Sequence, residues 1–280
     1  MATKRILVCV SGGSASDGAV EIACRMAQRV GARLEALHVK TDPTQIVSYA
    51  ADGFTMPIAA DWIDKIAADA DAFAKKTAAS FAAAVTRHGL KMGTDASWHE
   101  ESGYAPKLIA DRARFFDTVI LGRSERVVSH PYSDTIEETL TLSGRPVLLA
   151  PAKPPAAIGE VIAVGWNGSP EAVHAITASL PLLEKAKAVH VITIGESDDE
   201  NDPKELIAYL ACHGVTARHH QILPVEGVNA GEQLLAEARD AGADLLVMGA
   251  FGHRPWRETL FGGATHQIVG HSLLPVLLAH

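Results

Sequence analysis

One strand–turn–helix pattern occurs twice in this 280-residue chain, and that repeat restricts the fold more than any other feature. The apolar run Arg5–Val10 ends in the turn Ser11-Gly12-Gly13-Ser14, and the run Val161–Val164 ends in Trp166-Asn167-Gly168-Ser169. Each turn leads into an amphipathic helix, Ala19–Val30 and Glu171–Leu183, and each helix into a second apolar run, Leu34–Val39 and Ala188–Thr193. Further along, Leu108–Ala113 matches Leu234–Arg239, Thr118–Gly122 matches Leu245–Gly249, and Arg145–Ala150 matches Leu274–Ala279. The copies lie about 155 positions apart at the front and about 127–129 at the back, so the first carries roughly 27 extra residues. These fall within Thr41–Leu90, where an alanine-rich stretch from Pro57 to His88 reads as one long helix. Short apolar runs alternating with helices predict βαβ units and a parallel sheet covered on both faces. The fold class is therefore α/β: two tandem Rossmann-like domains, residues 1–151 and 156–280, each with its own core. A stiff joint, Pro151-Ala-Lys-Pro-Pro155, connects them.

Composition narrows the function. The net charge of −8 disfavours a nucleic-acid-backbone binder, which needs a basic face. No apolar run reaches the roughly 20 residues of a membrane span, and the start, MATKRILVCV, reads as a strand rather than a secretory leader. Cys9, Cys24 and Cys212 are scattered without ligand spacing, giving neither a disulfide framework nor a zinc signature. A reducing cytoplasm is expected.

The candidate site lies in the second copy. The strand Leu245–Met248 runs into Gly249-Ala-Phe-Gly252, and after nine residues Gly262-Gly263-Ala264-Thr265 opens a helical segment, Ala264–His271. Glycine lets backbone approach a ligand closely and take positive φ, and the free N–H groups of a helix start favour an anion. Strand, glycine turn, excursion, glycine pair and helix together suit a phosphate cradle. In parallel sheets ligands bind at the carboxyl ends of strands, where the turns at Gly12, Gly168 and Gly249 all fall.

This motif resembles the Gly-x2-Gly-x9-Gly-(Ser/Thr) signature of the universal stress protein family, with Gly263 where Ser or Thr is usual and Thr265 two positions on. With the repeat and the strand–turn–helix order, the chain is similar over its whole length to tandem members of that family. The resemblance implies a five-stranded parallel sheet in each half. It also implies adenine nucleotide binding in some members: an Asp after the first strand and a second-strand backbone group hold the nucleoside, and the glycines hold the phosphates. Carried over, the resemblance assigns Asn167 with Gly168 to the Asp position and Val191 to the second-strand contact. It assigns Gly249, Gly252, Gly262, Gly263, Ala264 and Thr265 to the phosphate loop. The implied ligand is ATP, or ADP or AMP, with or without Mg. The first copy departs further: Ser11 or Gly12 stands at the Asp position, and Arg123–Leu142 lacks the later glycines. That half is read as not binding nucleotide, or as binding something else.

Plainer readings stand beside these. Gly249 and Gly252 also suit a tight turn, and Gly262-Gly263 close packing. Ser169 before Pro170 suits an N-cap, a role compatible with ligand contact at Asn167. Arg254 and Arg257 are read as a solvated face in preference to phosphate contacts, and Trp166 and Trp256 as packing in preference to flanking a base. His213, His219 and His220 lack a third ligand at metal spacing and are read as surface histidines. Asp198–Glu200 with Asp202 reads as a solvated turn, and the alanine-rich helix as a cover for the sheet. There is no G-x-x-x-x-G-K-[ST] loop and no G-x-S-x-G elbow, so slow ATP hydrolysis is the most catalysis expected. Asp244 stands at the start of its strand, away from the cradle. A nucleotide-binding stress or signalling module is thus expected; a protein-interaction scaffold with a vestigial cradle is the alternative. Pro146 and Pro275, near the starts of the last strand of each copy, suit edge or first-residue positions. They lead to the expectation of a homodimer or an intramolecular pseudo-dimer.

Overall fold

The computed structural model describes residues 3–40, 60–123, 134–195, 202–250 and 263–280. The first half comprises β1 (Arg5–Cys9), α1 (Gly13–Val30), β2 (Arg33–Lys40), α2 (Ala60–Arg87), β3 (Ala96–Ser102), α3 (Ala105–Ala113), β4 (Thr118–Gly122), α4 (Asp134–Leu142) and β5 (Val147–Ala150). The second half repeats the order with β6 (Val161–Gly165), α5 (Pro170–Leu183), β7 (Ala188–Ile194), α6 (Lys204–Cys212), β8 (Ala217–Ile222), α7 (Ala230–Asp240), β9 (Leu245–Gly249), α8 (Gly263–His271) and β10 (Val276–Ala279). The helix α1 starts six positions before the sequence expectation, because Gly12 at φ +84° turns the chain directly into it. The strands form one sheet in the order β3-β2-β1-β4-β5-β10-β9-β6-β7-β8. Within each half every neighbouring pair is parallel. The halves meet at an antiparallel pair, β5 with β10, in which Leu148 stands opposite Leu277.

Period-two alternation divides the core by face. Ile6, Val8, Ile120, Leu148, Leu277, Val164 and Val191 point to one side, beneath α1, α2, α5 and α6. Leu7, Val119, Leu149, Leu278, Leu246 and Ile192 point to the other, beneath α3, α4, α7 and α8. Each layer runs through both halves, so the expectation of one core per half gives way to one core layer per face. The cause is the β5·β10 pair, which carries the ladder across the junction. Pro146 and Pro275 sit one residue before these strands and keep only their carbonyls in the ladder, accepting from the Val119 and Leu246 amides. The missing N–H of each proline therefore falls at the strand entrance, and β5 and β10 are central strands rather than edges.

The joint between the halves is held by α1. A Cβ on Gly18 would lie 2.2 Å from the Pro151 carbonyl oxygen, so only glycine lets the joint pass this close. Arg25 donates to the Pro155 carbonyl, and Arg29 donates to the carbonyls of Gly159 (2.7 Å) and Lys185 (2.6 Å). At the amino edge of each half one carboxylate ties down the entering strand. Asp117 accepts from the Lys4 and Arg5 amides (2.7 and 2.9 Å), and Asp244 from those of Gly159 (2.6 Å) and Glu160 (3.0 Å). Burial pushes the Asp244 carboxyl up, against the pull of these amides. Asp244 stands immediately before β9, at the start of that strand as the sequence placed it.

The edges that would otherwise invite a second chain are β5 and β10, and they satisfy each other. Light scattering is expected to give a mass near 29.6 kDa across micromolar concentrations. A rise toward twice that mass with concentration would show that a second chain pairs elsewhere.

Candidate functional site

Among the described residues, the carboxyl edge of the second half is shaped by the turns that lead into α5 and α7 and by the end of β9. After β6 the Trp166 amide donates to the Ile192 carbonyl (2.9 Å), and the chain turns through Gly168 at φ +73°, a left-handed conformation suited to glycine. The Asn167 Oδ1 accepts from the Ser169 amide (3.2 Å) and hydroxyl (2.7 Å), and the Ser169 hydroxyl accepts from the Ala172 amide (3.2 Å). Ser169 therefore caps α5, with Pro170 at the first helical position, as its sequence context suggested. Asn167 organises the turn with its oxygen and, being exposed, keeps its amide NH2 as the group able to meet a ligand.

Gly249 closes β9. A Cβ there would lie 2.6 Å from the Ala172 nitrogen and 2.7 Å from the Glu171 carbonyl carbon, so the first turn of α5 rests on the strand end. Gly122 repeats the arrangement in the first half, where a Cβ would lie 2.3 Å from the Ala15 carbonyl oxygen of α1. The close backbone approach at Gly249 is thus made to a helix of the same chain. Gly252 and Gly262, with Arg254, Trp256 and Arg257, lie outside the described residues, as do Asp198–Glu200. Gly263 is the first residue of α8, Ala264 the second, and Thr265 is buried in its first turn. Gln267 donates to Glu232 of α7 (2.6 Å), and Asn229 caps α7 by accepting from the Gly231 amide (2.7 Å). The first turn of α7 therefore lies beside the middle of α8.

Val191 is not brought to this edge. It is fully buried in β7 between Val164 and His219, three residues before the strand ends at Ile194. Ile194 is the β7 residue that reaches the carboxyl edge. The sequence reading also passed over Gln233, in the first turn of α7, whose amide nitrogen is buried without a hydrogen-bond partner. The only signal for it was a polar residue on a helix face otherwise buried through Leu234, Leu235 and Ala238. The Trp166 indole Nε1 is likewise buried and unpartnered, while its ring packs on the core layer under α5. Buried donors without acceptors are costly, by about 1–3 kcal/mol each.

In the first half the equivalent turn is covered. The ring of Phe73 from α2 stands over Gly12, where a Cβ would lie 2.3 Å from it. Phe73 belongs to a cluster with His38, Trp98 and Phe81, and Phe81 sits in the core layer under α2. The alanine-rich helix covers the sheet, as expected.

The histidines are held by neighbours. His220 bonds Glu237 through Nδ1 and His190 through Nε2, both at 2.8 Å; His219 bonds Thr193 at 3.3 Å; and His213 lies 3.8 Å from Glu184. Asp202 pairs with Lys204 (2.9 Å) and accepts from its amide (3.0 Å). Among the described residues no group of three or more His, Cys, Asp or Glu is arranged to hold a metal. Burial, and next the His220 charge, hold the His190 and His219 imidazoles below the usual histidine range; Arg218 adds to this at His190.

A parallel sheet flanked by helices on both faces, with glycine-led turns after β1 and β6, defines a doubly wound α/β protein. The model of the universal stress protein family matches residues 2–126 and 160–280, and the chain belongs to that family. It is 24% identical over 182 residues to a universal stress protein of Synechocystis sp., an alignment that covers 63% of this chain and 62% of the relative, so it spans less than two thirds of that protein. Among solved structures it is similar to a universal stress protein from Archaeoglobus fulgidus (TM-score 0.76, 16% identity, 100% of this chain and 99% of the other). It is also similar to a Pseudomonas aeruginosa chain assigned to the same family (TM-score 0.59, 15% identity, 99% and 93%). At these identities the structural likeness bears on the fold.

Two outcomes are expected. Gly249→Val and Gly122→Val should each lower stability in denaturant unfolding by about 1–3 kcal/mol, because the added side chain meets helix backbone; an unchanged midpoint would remove the packing role. Stability should also fall as pH drops. The depressed folded-state histidines stay neutral while the unfolded chain takes up protons below about pH 6.5, so their contribution is present above that pH and is lost toward the lower folded values. The unfolding midpoint should decline from pH 7 to 5, with a shallower slope in His190→Gln.

Proposed function

We propose that this protein is a stress-response or signalling module that binds an adenine nucleotide, ATP or else ADP or AMP, in its second half. The single observation that carries the reading is the position of α8. It starts at Gly263, within the glycine motif, and its middle packs beside the first turn of α7. Its first amides have no intrahelical acceptor, and an anion there completes them. Gly249, Gly252, Gly262 and Gly263 would keep the chain near the phosphates free of side chains. Ala264 and Thr265 would supply first-turn amides, and the Asn167 amide with the Gly168 turn would meet the nucleoside. Val191 would act from beneath, through packing, with Ile194 at the mouth. Mg would serve the phosphates as a counter-charge. The protein is proposed to act in the cytoplasm as a single-chain pseudo-dimer signalling through a protein partner. Residues 1–151 form a half that does not bind nucleotide, and 156–280 the half that does. Among the described residues no helix is long and apolar enough to cross a membrane.

A second reading, an interaction scaffold of the same family without nucleotide, is favoured by the structural duties found at Gly249 and Asn167. Mass spectrometry of freshly purified, denatured protein distinguishes the two through co-purified ATP, ADP or AMP. For the binding reading, Gly262→Val is expected to abolish binding in titration calorimetry while leaving the circular dichroism spectrum intact. Unchanged affinity would falsify the cradle assignment.

A further inference from the structure

A cleft of about 510 Å³ lies where the two halves meet. Its lining comes from His174, Thr177 and Ala178 of α5, from His280 after β10, and from Thr3 and Arg145, two residues before β1 and β5. The other half contains the same place, and there the chain itself lies in it. Gly122 is pressed by the Ala15–Ser16 peptide of α1 and Gly249 by the Glu171–Ala172 peptide of α5. Gly18, Glu21 and Ile22 of α1 therefore stand where His174, Thr177 and Ala178 stand in α5. Pro151 after β5 likewise matches His280 after β10. The Pro151 carbonyl lies against Gly18, and the His280 carbonyl lies 3.3 Å from the His174 Nδ1. From Pro151 the joint runs along α1: its Pro155 and Gly159 carbonyls accept from Arg25 and Arg29, and Ile158 is buried in the core layer. Gly18 is buried beneath the joint, whereas His174 and Thr177 are exposed.

We propose that this cleft is a docking groove for an extended, proline-bearing segment of a partner protein, laid along α5 as the joint lies along α1. The joint itself shows the chemistry of the occupant, a run of backbone carbonyls met by side-chain donors. The cleft offers such donors. Arg145 stands where the other half has Leu274; its Nε and Nη2 donate to the Arg114 carbonyl (3.2 and 2.8 Å), and Nη1 remains for a ligand. His174 keeps its Nε2, and Thr177 its hydroxyl. The Asp117 carboxylate, also in the cleft, is taken by the Lys4 and Arg5 amides. Proline suits this lining because it presents a carbonyl without an N–H that needs an acceptor, and it holds the backbone extended in advance. The inference is independent of nucleotide binding, because it uses no residue assigned to the nucleotide.

The test is fluorescence anisotropy of a labelled peptide with the joint's own sequence, Ala150–Ile158 (APAKPPAAI), titrated with the full chain. Saturable binding is expected, weakened roughly tenfold or more by Thr177→Arg, which projects a long side chain into the groove, and also when the three prolines of the peptide are replaced by alanine. Arg145→Ala should weaken it severalfold and serves as the second variant should Thr177→Arg lose its native circular dichroism spectrum. In methyl-resolved NMR the peptide should shift Thr3, Thr177 and Ala178 and leave Ala19 and Ile22 of α1 in place. Titration with AMP should give the same result in Thr177→Arg as in the unaltered chain, so failure of the nucleotide reading leaves this test intact. The proposal is overturned if the peptide shows no saturable binding, if the proline-free peptide or a natively folded Thr177→Arg binds equally well, if the shifts fall outside the cleft, or if the cleft methyls shift with protein concentration alone, which would make a second copy the occupant.

Discussion

The antiparallel pairing of β5 with β10 is the interaction on which the rest of the molecule depends. A five-stranded parallel sheet ending at either strand would present an apolar backbone edge to water. Val147, Leu148, Leu149, Val276, Leu277 and Leu278 are all buried because each strand covers the other. The pair converts two repeats into one ten-stranded sheet and fuses their cores, face by face. The repeats need no second chain to complete this junction, and the outer edges left open, β3 and β8, are polar and charged strands that discourage further pairing.

The same pairing sets the functional geometry. Because β5 and β10 run in opposite directions, the carboxyl ends of the two halves open at opposite edges of the sheet. The nucleotide cradle proposed for the second half therefore opens at the edge where the strands of the first half begin. The carboxyl edge of the first half nonetheless meets α8 of the second. Arg123, the residue following β4, donates to the Val269 carbonyl in the last turn of α8 (3.1 Å), the helix whose first turn is proposed to hold phosphate. A guanidinium at a helix carboxyl end also complements the helix dipole.

The two repeats share a frame and differ at the carboxyl edge. Gly122 and Gly249 serve the same purpose in the two halves, the seating of α1 and α5 on a strand end. Asp117 and Asp244 are retained to fasten the entering strands. Around this frame the turn after the first strand of each half differs: Phe73 closes over Gly12, whereas Asn167 and Gly168 stay exposed. The inserted residues supply α2 and hence Phe73, so the insertion itself distinguishes the turn after β1 from the turn after β6.

The sequence by itself determined the parallel α/β architecture, because runs such as Ile6–Val8 and Leu245–Met248 are apolar on both faces and only a doubly covered strand can bury them. It determined the repeat, the Ser169 cap and the place of the glycine turns, since each is a local pattern of residue types. The edge strands β3 and β8 escaped it: half in solvent, ASWHEES and ARHHQI carry no continuous apolar run to announce them. Only the tertiary structure decided that Gly249 is pressed by α5, that Val191 stops short of the carboxyl edge, and that Gln233 is buried without a partner. It also decided that β5 and β10 close on each other within one chain. Those outcomes rest on contacts between residues far apart in sequence, and the spacing of residues along a chain does not encode which distant backbone will fill the space beside them.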